Sequence, residues 1–347
     1  MKKFLFVVLG TIGIPILLLL GLFLYTDPFK TLHTFDINDI DGTNREYLST
    51  ELFKLNIDKY NYNSFVFSSS KGCGINTYTW KMHMQDSTAQ PFLFQAWSES
   101  LTGVELKIQY LLENDIPINN ALILLDIPGS FAKNQLPNEA LSMKHYMFTK
   151  QPKWIYNAYL FYNYCQKPSQ WFKSIKKKIN QQKIAFSSDL ITNDWNANNY
   201  STYDKIPTLD SLKECSDMTR RTFFENIKHK TDNDIKMSPV MLSDPFKEQL
   251  MRIKKMLEQN STNYHIIITP AYCYTSSYIN NKDLEELNTI FGEKRVHDFS
   301  KHYITRDYNY FTDPGHFGLR AGFVMLQDIY ADTTNSTSKV DSITSPK

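Results

Sequence analysis

The sequence is poor in several features on which broad classes of protein depend. Its formal net charge is only +2, with 38 Lys and Arg against 36 Asp and Glu. Nucleic-acid binding relies on a strong positive field, so this balance argues against a nucleic-acid partner. The four cysteines, at 73, 165, 215 and 273, form no C-x-x-C pair. A zinc cluster of the usual spacing is therefore not expected, and no disulfide pairing follows from the cysteines alone.

The chain has one long apolar run, and no second run of comparable length follows it. Residues 4 to 25 carry no charge, and at about 1.5 Å per residue they can cross a bilayer core of about 30 Å. No A-x-A-like cleavage pattern follows, which favours an uncleaved anchor over a signal peptide. Lys2 and Lys3 precede the run, so the positive-inside rule predicts a cytoplasmic N-terminus and an extracytoplasmic main domain.

The next residues predict a linker and then an α/β domain. Residues 26 to 60 are polar and rich in turn formers, as in a juxtamembrane linker, and the main domain is predicted over 61–331. A strand at 65–67, a helix within 100–115 and the buried strand "NALILLDI" follow one another. Strand, helix and strand in this order are typical of a βαβ unit, which predicts a mostly parallel sheet.

Two segments depart from this alternation. Residues 130 to 235 contain aromatic helical stretches between polar loops, which predicts a helical insertion or a cap on the sheet. The lysines at 176 to 178 favour a solvated helix face over a site for anionic lipid or glycan. The tail, 332–347, has too few apolar residues to pack and is predicted to be disordered.

Four loops end predicted strands: "SSSKGCG", "DIPGS", "TPAYCY" and "TDPGHFG". In an open α/β sheet, ligands bind at the carboxyl ends of the strands, so we expect these loops at one edge. The first loop offers serines, and the last offers Asp313 and His316. A serine becomes a nucleophile when a histidine removes its proton, and a carboxylate orients that histidine.

Other interpretations of these residues stay open at this level. Asp313 could cap a helix, with His316 on the surface. His297 and Asp298, in "VHDF", form a rival dyad that we interpret as structural, and His265 on an apolar strand is predicted to be a packed core residue.

The strand-to-serine loop "FVFSSSKG" paired with the late "DPGH" resembles the SGNH/GDSL hydrolase superfamily. More narrowly, it resembles a membrane-anchored bacterial branch related to proteins that handle acyl groups on polysaccharides and teichoic acids. That branch shows a GSS-type block followed by a basic residue, matched by Ser68, Ser69, Ser70 and Lys71. It also shows a "DPF"-like element after the anchor, matched here by residues 27–29. The resemblance implies a three-layer α/β/α sandwich, Ser70 as nucleophile, His316 as general base and Asp313 as its orienting acid.

The oxyanion donors follow the family pattern less closely. The resemblance implies a backbone amide at Ser70 and a second-block donor, for which Ser98 and Gly103 are both candidates. The third-block asparagine has no clear match, and "TNDWN" offers Asn193. The glycine that opens the first block is replaced by Ser68.

The resemblance implies an extracytoplasmic serine esterase or O-acyltransferase that acts on acyl groups of a cell-envelope glycan. The expected location is a bacterial inner membrane, with an acylated glycan or acyl donor as partner, and a membrane-protein partner stays open. No metal or organic cofactor is implied. The alternative is a non-catalytic SGNH-like protein that binds a glycan or membrane partner during polymer assembly or export. A hydrolase needs the Ser70 hydroxyl about 2.6 to 3.2 Å from a His316 nitrogen, which distinguishes the two.

Overall fold

The computed structural model of the chain describes residues 3–4, 9–34, 44–127, 129–131, 143–180, 189–194, 235–274 and 276–338. The chain forms two compact units. Unit 1 combines residues 1–51 with 136–186, and unit 2 combines residues 52–135 with 187–347.

Unit 2 is built on a parallel β-sheet, as the sequence predicts. The strands of the chain are β1 (Ser64–Ser68), β2 (Pro91–Gln95), β3 (Asn120–Leu125), β4 (Lys236–Met237), β5 (Asn263–Ile268), β6 (Ser277–Tyr278), β7 (Val296–Asp298), β8 (Phe311–Asp313) and β9 (His316–Phe317). Five of them form one sheet in the order β2-β1-β3-β5-β7, with every neighbouring pair parallel. The mixed α/β class is therefore confirmed. Strands β1, β2 and β3 are buried at every position, which explains their continuous apolar sequences.

Helices alternate with these strands along the chain. Among the described residues, the α-helices are α1 (Ile14–Thr26), α2 (Arg45–Tyr60), α3 (Thr77–Met84), α4 (Leu101–Glu113), α5 (Lys153–Cys165), α6 (Pro168–Asn180), α7 (Asp244–Gln259), α8 (Asn281–Phe291) and α9 (Leu319–Ser338). One core cluster packs Trp80 of α3 and Met325 of α9 with Val66 of β1. Phe53 of α2 instead contacts Phe65 of β1, whose side chain points to the opposite face from Val66. Side chains from helices thus pack on both faces of the sheet.

The predicted linker is wrong over residues 45–60, which form α2. Leu48 and Leu52, at helical i, i+4 spacing, are both buried. Polar residues in the same helix, such as Glu46 and Thr50, are buried too. The sequence therefore lacks the continuous apolar stripe by which a buried helix is normally predicted.

Helix α9 continues to Ser338, into the segment 332–347 whose disorder stays a prediction. No proline or glycine occurs between Phe323 and Ser338, so nothing in the local sequence stops the helix. Residues 339–347 lie outside the described residues.

The predicted helical insertion is only partly described. Its helices α5 and α6 belong to unit 1 together with the start of the chain. In unit 1, Phe23 of α1 contacts Phe161 and Tyr164 of α5, with ring centroids 5.4 and 5.5 Å apart. Most of the insertion beyond residue 180 lies outside the described residues.

The predicted anchor, residues 4 to 25, is described except for residues 5–8. Leu9–Gly13 form a π-helical turn that leads into α1. Within the described parts of the chain, no helix combines the length and the apolar character needed to cross a membrane.

His265 and His297 lie side by side on β5 and β7, with His265 Nδ1 2.9 Å from His297 Nε2. The structural role of His297 and the core position of His265 stay predictions. Burial, then the neighbouring His297 and Arg295, lowers the pKa of His265 from 6.5 to about 4.

We expect this pair to make the fold acid-sensitive. An unfolded histidine takes up a proton near pH 6.5 but His265 in the fold does so only near pH 4, so stability is lost as pH falls between these values. The loss attributable to His265 is about 3 kcal/mol. Urea unfolding at neutral pH and near pH 4.5 measures it. His265→Phe should reduce the pH dependence, whereas substitution of the exposed His33 by Gln should not; an equal pH dependence in wild type and His265→Phe would contradict this assignment.

Candidate active site

Ser70 lies directly after β1, at the carboxyl end of the sheet. The strand ends at Ser68, and Ser70 begins a short 3₁₀ helix, Ser70–Gly74. The hydroxyl of Ser69 accepts a hydrogen bond from the backbone N–H of Lys71 at 3.3 Å and so caps this turn. The turn lifts Ser70 out of the sheet, where a substrate can reach it.

Asp313 and His316 lie on a tight hairpin and not at a helix start. Strands β8 and β9 are antiparallel, with Asp313 opposite His316, and the following helix begins only at Leu319. Oδ1 of Asp313 accepts the backbone N–H groups of Gly315 and His316 at 2.9 and 3.0 Å. The carboxylate therefore holds the Pro-Gly turn closed, and the helix-cap alternative does not apply.

The structure brings all three predicted catalytic residues together. Ser70 Oγ lies 2.8 Å from His316 Nε2, and His316 Nδ1 lies 2.8 Å from Asp313 Oδ2. A carboxylate only accepts hydrogen bonds, so Nδ1 carries the proton and Nε2 is left to accept the Ser70 hydroxyl. This is the tautomer that a general base requires.

The electrostatics of Asp313 match this arrangement. Burial favours a raised pKa, but the hydrogen bond and charge of His316 and the two backbone N–H donors outweigh it, so the pKa of Asp313 is lowered. The side chains of His316 and Asp313 are 36% and 50% exposed, which leaves the pair within reach of a substrate.

Two further contacts join the neighbouring loops to this site. Lys71, the residue after Ser70, forms an ion pair with Asp126 of the "DIPGS" loop, with Nζ and Oδ1 2.6 Å apart. The backbone N–H of Tyr272, in "TPAYCY", donates to the carbonyl of Pro314 at 2.9 Å. All four loops therefore meet at the carboxyl edge of the sheet, as the sequence predicts.

Gln95 is a site residue that sequence reasoning missed. Its side-chain amide donates to the carbonyl of Ser70 at 3.1 Å, and the residue is 2% exposed. Gln95 is the last residue of β2 and stands opposite Ser68 in the parallel register. A polar residue at the carboxyl end of an otherwise apolar strand was the available signal.

Of the oxyanion candidates, the structure removes Gly103 from consideration. Its N–H donates to the hydroxyl of Ser100, which caps α4, and it is therefore already paired within the helix start. Ser98 is exposed on the loop after β2 and has a left-handed backbone, with φ of 51°. The roles of the Ser98 and Ser70 amides stay predictions.

Asn193 lies elsewhere on the sheet. Its side-chain amide donates to the carbonyl of Leu93 at 2.6 Å, in the middle of β2 and not at its carboxyl end. The neighbouring Asp194 accepts hydrogen bonds from the backbone and the hydroxyl of Thr77, at 3.0 and 2.8 Å. Asn193 and Asp194 therefore link β2 to the start of α3 through hydrogen bonds.

Gly72 makes room for the side chain of Ser68. A Cβ placed on Gly72 would overlap the Ser68 hydroxyl, so the two positions cannot both carry a side chain in this geometry. The Ser68 hydroxyl is buried and has no hydrogen-bond partner among the described residues.

A small recess lies next to Lys71 at this edge of the sheet. Its lining is mostly small or hydroxyl-bearing: Lys71, Ile127, Thr269, Ala271, Cys273, Ser276, Ser277, Tyr278 and Ser300. Within the described ranges, no group of three or more His, Cys, Asp or Glu side chains could hold a metal ion. Cys73, Cys165 and Cys273 are thiols and not disulfides, and Cys215 lies outside the described residues.

No family model matches this chain. No curated protein matches it either. The geometry of Ser70, His316 and Asp313 is therefore the main indication of function.

Proposed function

We propose that this protein is a serine esterase or O-acyltransferase that acts on acyl groups of a cell-envelope glycan. The observation that carries the reaction type is the hydrogen-bonded chain from Ser70 through His316 to Asp313, with both links at 2.8 Å. The choice of glycan as substrate rests on the resemblance of "FVFSSSKG" and "DPGH" to the SGNH branch.

The proposed fold is the three-layer α/β/α sandwich of the SGNH type. In its support, the nucleophile follows the first strand, and the Asp-His pair immediately precedes the last helix, α9. Core contacts on the two sheet faces, through Trp80 and through Phe53, fit this arrangement.

The proposed reaction proceeds through an acyl-enzyme. Ser70 Oγ attacks the ester carbonyl while its proton moves to His316 Nε2, and Asp313 stabilises the resulting imidazolium. Backbone amides at Ser70 and Ser98 are the proposed donors to the oxyanion. His316 then protonates the leaving alcohol. Water or a sugar hydroxyl, deprotonated by His316, attacks the acyl-serine and releases the acid or the new ester.

The proposed location is the outer side of a bacterial inner membrane, with the N-terminus in the cytoplasm. The uncharged run 4–25 supports it, together with exposed apolar side chains on α1 such as Leu17 and Leu18, which are 66% and 70% exposed. An apolar helix that is exposed in this way requires lipid or protein to cover it.

The non-catalytic alternative rests on two departures, Ser68 in place of glycine and Asn193 away from the edge of the sheet. The 2.8 Å separation of Ser70 Oγ and His316 Nε2 falls within the range required for a nucleophile and its base, so it favours the enzyme.

Labelling of the full chain with a fluorophosphonate tests the proposal without knowledge of the natural substrate. An activated serine displaces fluoride and forms a stable phosphonyl ester, so we expect one adduct, on the peptide that contains Ser70. His316→Gln should abolish labelling, whereas His297→Gln, on the rival dyad, should leave it intact. Folded protein that gives no adduct on Ser70 would favour the binding alternative.

A further inference from the structure

Helices α5 and α6 of unit 1 present large apolar and aromatic side chains to solvent. On α5, Trp154 and Tyr162 are 71% and 61% exposed, and they lie two turns apart on one face. On α6, Phe172 and Ile179 are each 72% exposed. A cluster of exposed apolar groups of this kind marks a surface that contacts something other than water.

The charges on these helices are all positive. The sequences of α5 and α6 contain lysines and no Asp or Glu. Lys176 falls between Phe172 and Ile179 at i, i+4 and i+7, so it shares their face of α6. The ammonium group of Lys178 lies 5.7 Å from the ring centre of Tyr25, at the end of α1. Aromatic and apolar side chains interleaved with lysines suit a surface that is apolar inside and anionic outside.

The position of the apolar run identifies that surface. The first turns of α1 are uncharged and exposed, and only Phe23 and Thr26, near its C-terminal end, are buried. Phe23 packs against Phe161 and Tyr164 of α5, so α5 lies where the apolar run ends. If the run enters a bilayer, this level is the headgroup region, where Trp and Tyr are enriched and lysines attract anionic lipid.

We propose that the exposed face of α5 and α6, defined by Trp154, Tyr162, Phe172, Lys176 and Ile179, lies on the interface of an anionic lipid bilayer. In this membrane-contact face the rings insert among the headgroups and the lysines pair with lipid phosphates. The proposal concerns unit 1 alone and does not depend on the reaction proposed for unit 2.

Tryptophan fluorescence of the full chain in vesicles tests the proposal. The vesicles contain phosphatidylcholine and phosphatidylglycerol, with acyl chains brominated close to the headgroup. We expect the bromines to quench the emission and Trp154→Phe to remove the largest single share of that quenching. Trp97→Phe is the matched control, because Trp97 is also exposed, at 42%, but belongs to unit 2.

A relocated probe guards against a variant that fails to fold. Phe172→Trp, made in the Trp154→Phe chain, should restore quenching, since position 172 belongs to the proposed membrane-contact face. Quenching that is unchanged by Trp154→Phe, or that is not restored by Phe172→Trp, would overturn the proposal and favour a protein as the occupant of this face.

The lysines are tested through lipid charge. Each lysine near an anionic surface contributes about 1 kcal/mol, so Lys173→Gln with Lys176→Gln should lower the ratio of partitioning into anionic over neutral vesicles by roughly 10-fold or more. Lys255→Gln with Lys282→Gln changes the net charge equally, on unit 2, and should leave the ratio unchanged. If the partitioning ratio drops equally in both double variants, the effect is due to net charge alone. That result would contradict a specific membrane-contact face.

Discussion

Replacing Ser70 by alanine is expected to lower kcat/KM for a short acyl ester such as p-nitrophenyl acetate by at least about 10³-fold. The hydroxyl is the only atom of Ser70 that faces His316 Nε2, at 2.8 Å, and alanine removes it with little change to the fold. Without it no acyl-enzyme forms, and only residual binding of the polarised ester remains. Steady-state hydrolysis by the full chain measures the loss.

Ser69→Ala is the matched control for this experiment. Its hydroxyl caps the 3₁₀ turn and does not contact His316, so we expect a loss of stability of about 1 kcal/mol and only a small loss of rate. A Ser70→Ala chain that keeps the wild-type rate would exclude Ser70 as nucleophile. Wild-type protein that labels on Ser70 but does not hydrolyse the ester would point to a transferase that excludes water.

Asp313→Asn is expected to lower kcat/KM by roughly 10²- to 10⁴-fold. Because Asp313 is partly exposed, we expect a smaller loss of rate than the substitution of a fully buried acid would cause. Oδ1 of Asp313 accepts the backbone N–H groups of Gly315 and His316, and both Oδ1 and Oδ2 lie within 2.9 Å of His316 Nδ1. Asparagine has one oxygen. If that oxygen serves the backbone, its NH₂ group faces Nδ1 and moves the ring proton to Nε2, where it blocks proton transfer from Ser70.

The tautomer argument separates this effect from simple unfolding. The Asp313→Asn chain should keep its urea midpoint within a small shift, and its rate of labelling at Ser70 should fall in parallel with kcat/KM. Asp298→Asn, on the rival dyad, should alter neither rate, because Asp298 accepts a backbone N–H from Ser300. Equal rate losses in the two variants would contradict the assignment of Asp313.

The hydrogen-bonded residues Ser70, His316 and Asp313 show how much of the site local sequence predicts. The strand that ends in "SSS" predicts where Ser70 lies, because a buried parallel strand delivers its last residues to the carboxyl edge. The "DPGH" turn predicts that Asp313 and His316 are close, because the two residues are three apart in a tight turn. The sequence did not predict the distance between Ser70 and His316, because the two residues are 246 positions apart in the chain.

The supporting residues depended on partners remote in the chain. Gln95 reaches the Ser70 carbonyl because β2 lies beside β1, and Lys71 meets Asp126 because β3 lies on the other side. Both contacts depend on the order of the strands in the sheet, and local sequence patterns do not predict that order. Gly103 was a candidate oxyanion donor because of its place in the second block. In the structure its N–H donates a hydrogen bond to Ser100, the N-cap of α4.

The sequence by itself determined the apolar run, the parallel α/β class and the two loops that carry Ser70 and the Asp313–His316 pair. These follow from local rules: uncharged length, continuous burial of parallel strands and turn chemistry. The tertiary structure alone decided that residues 1–51 join 136–186 in one unit, that 45–60 form a helix with buried polar groups, and that four loops meet. These features depend on packing between segments that are distant in the chain. Such packing buries residues whether their local sequence is polar or apolar.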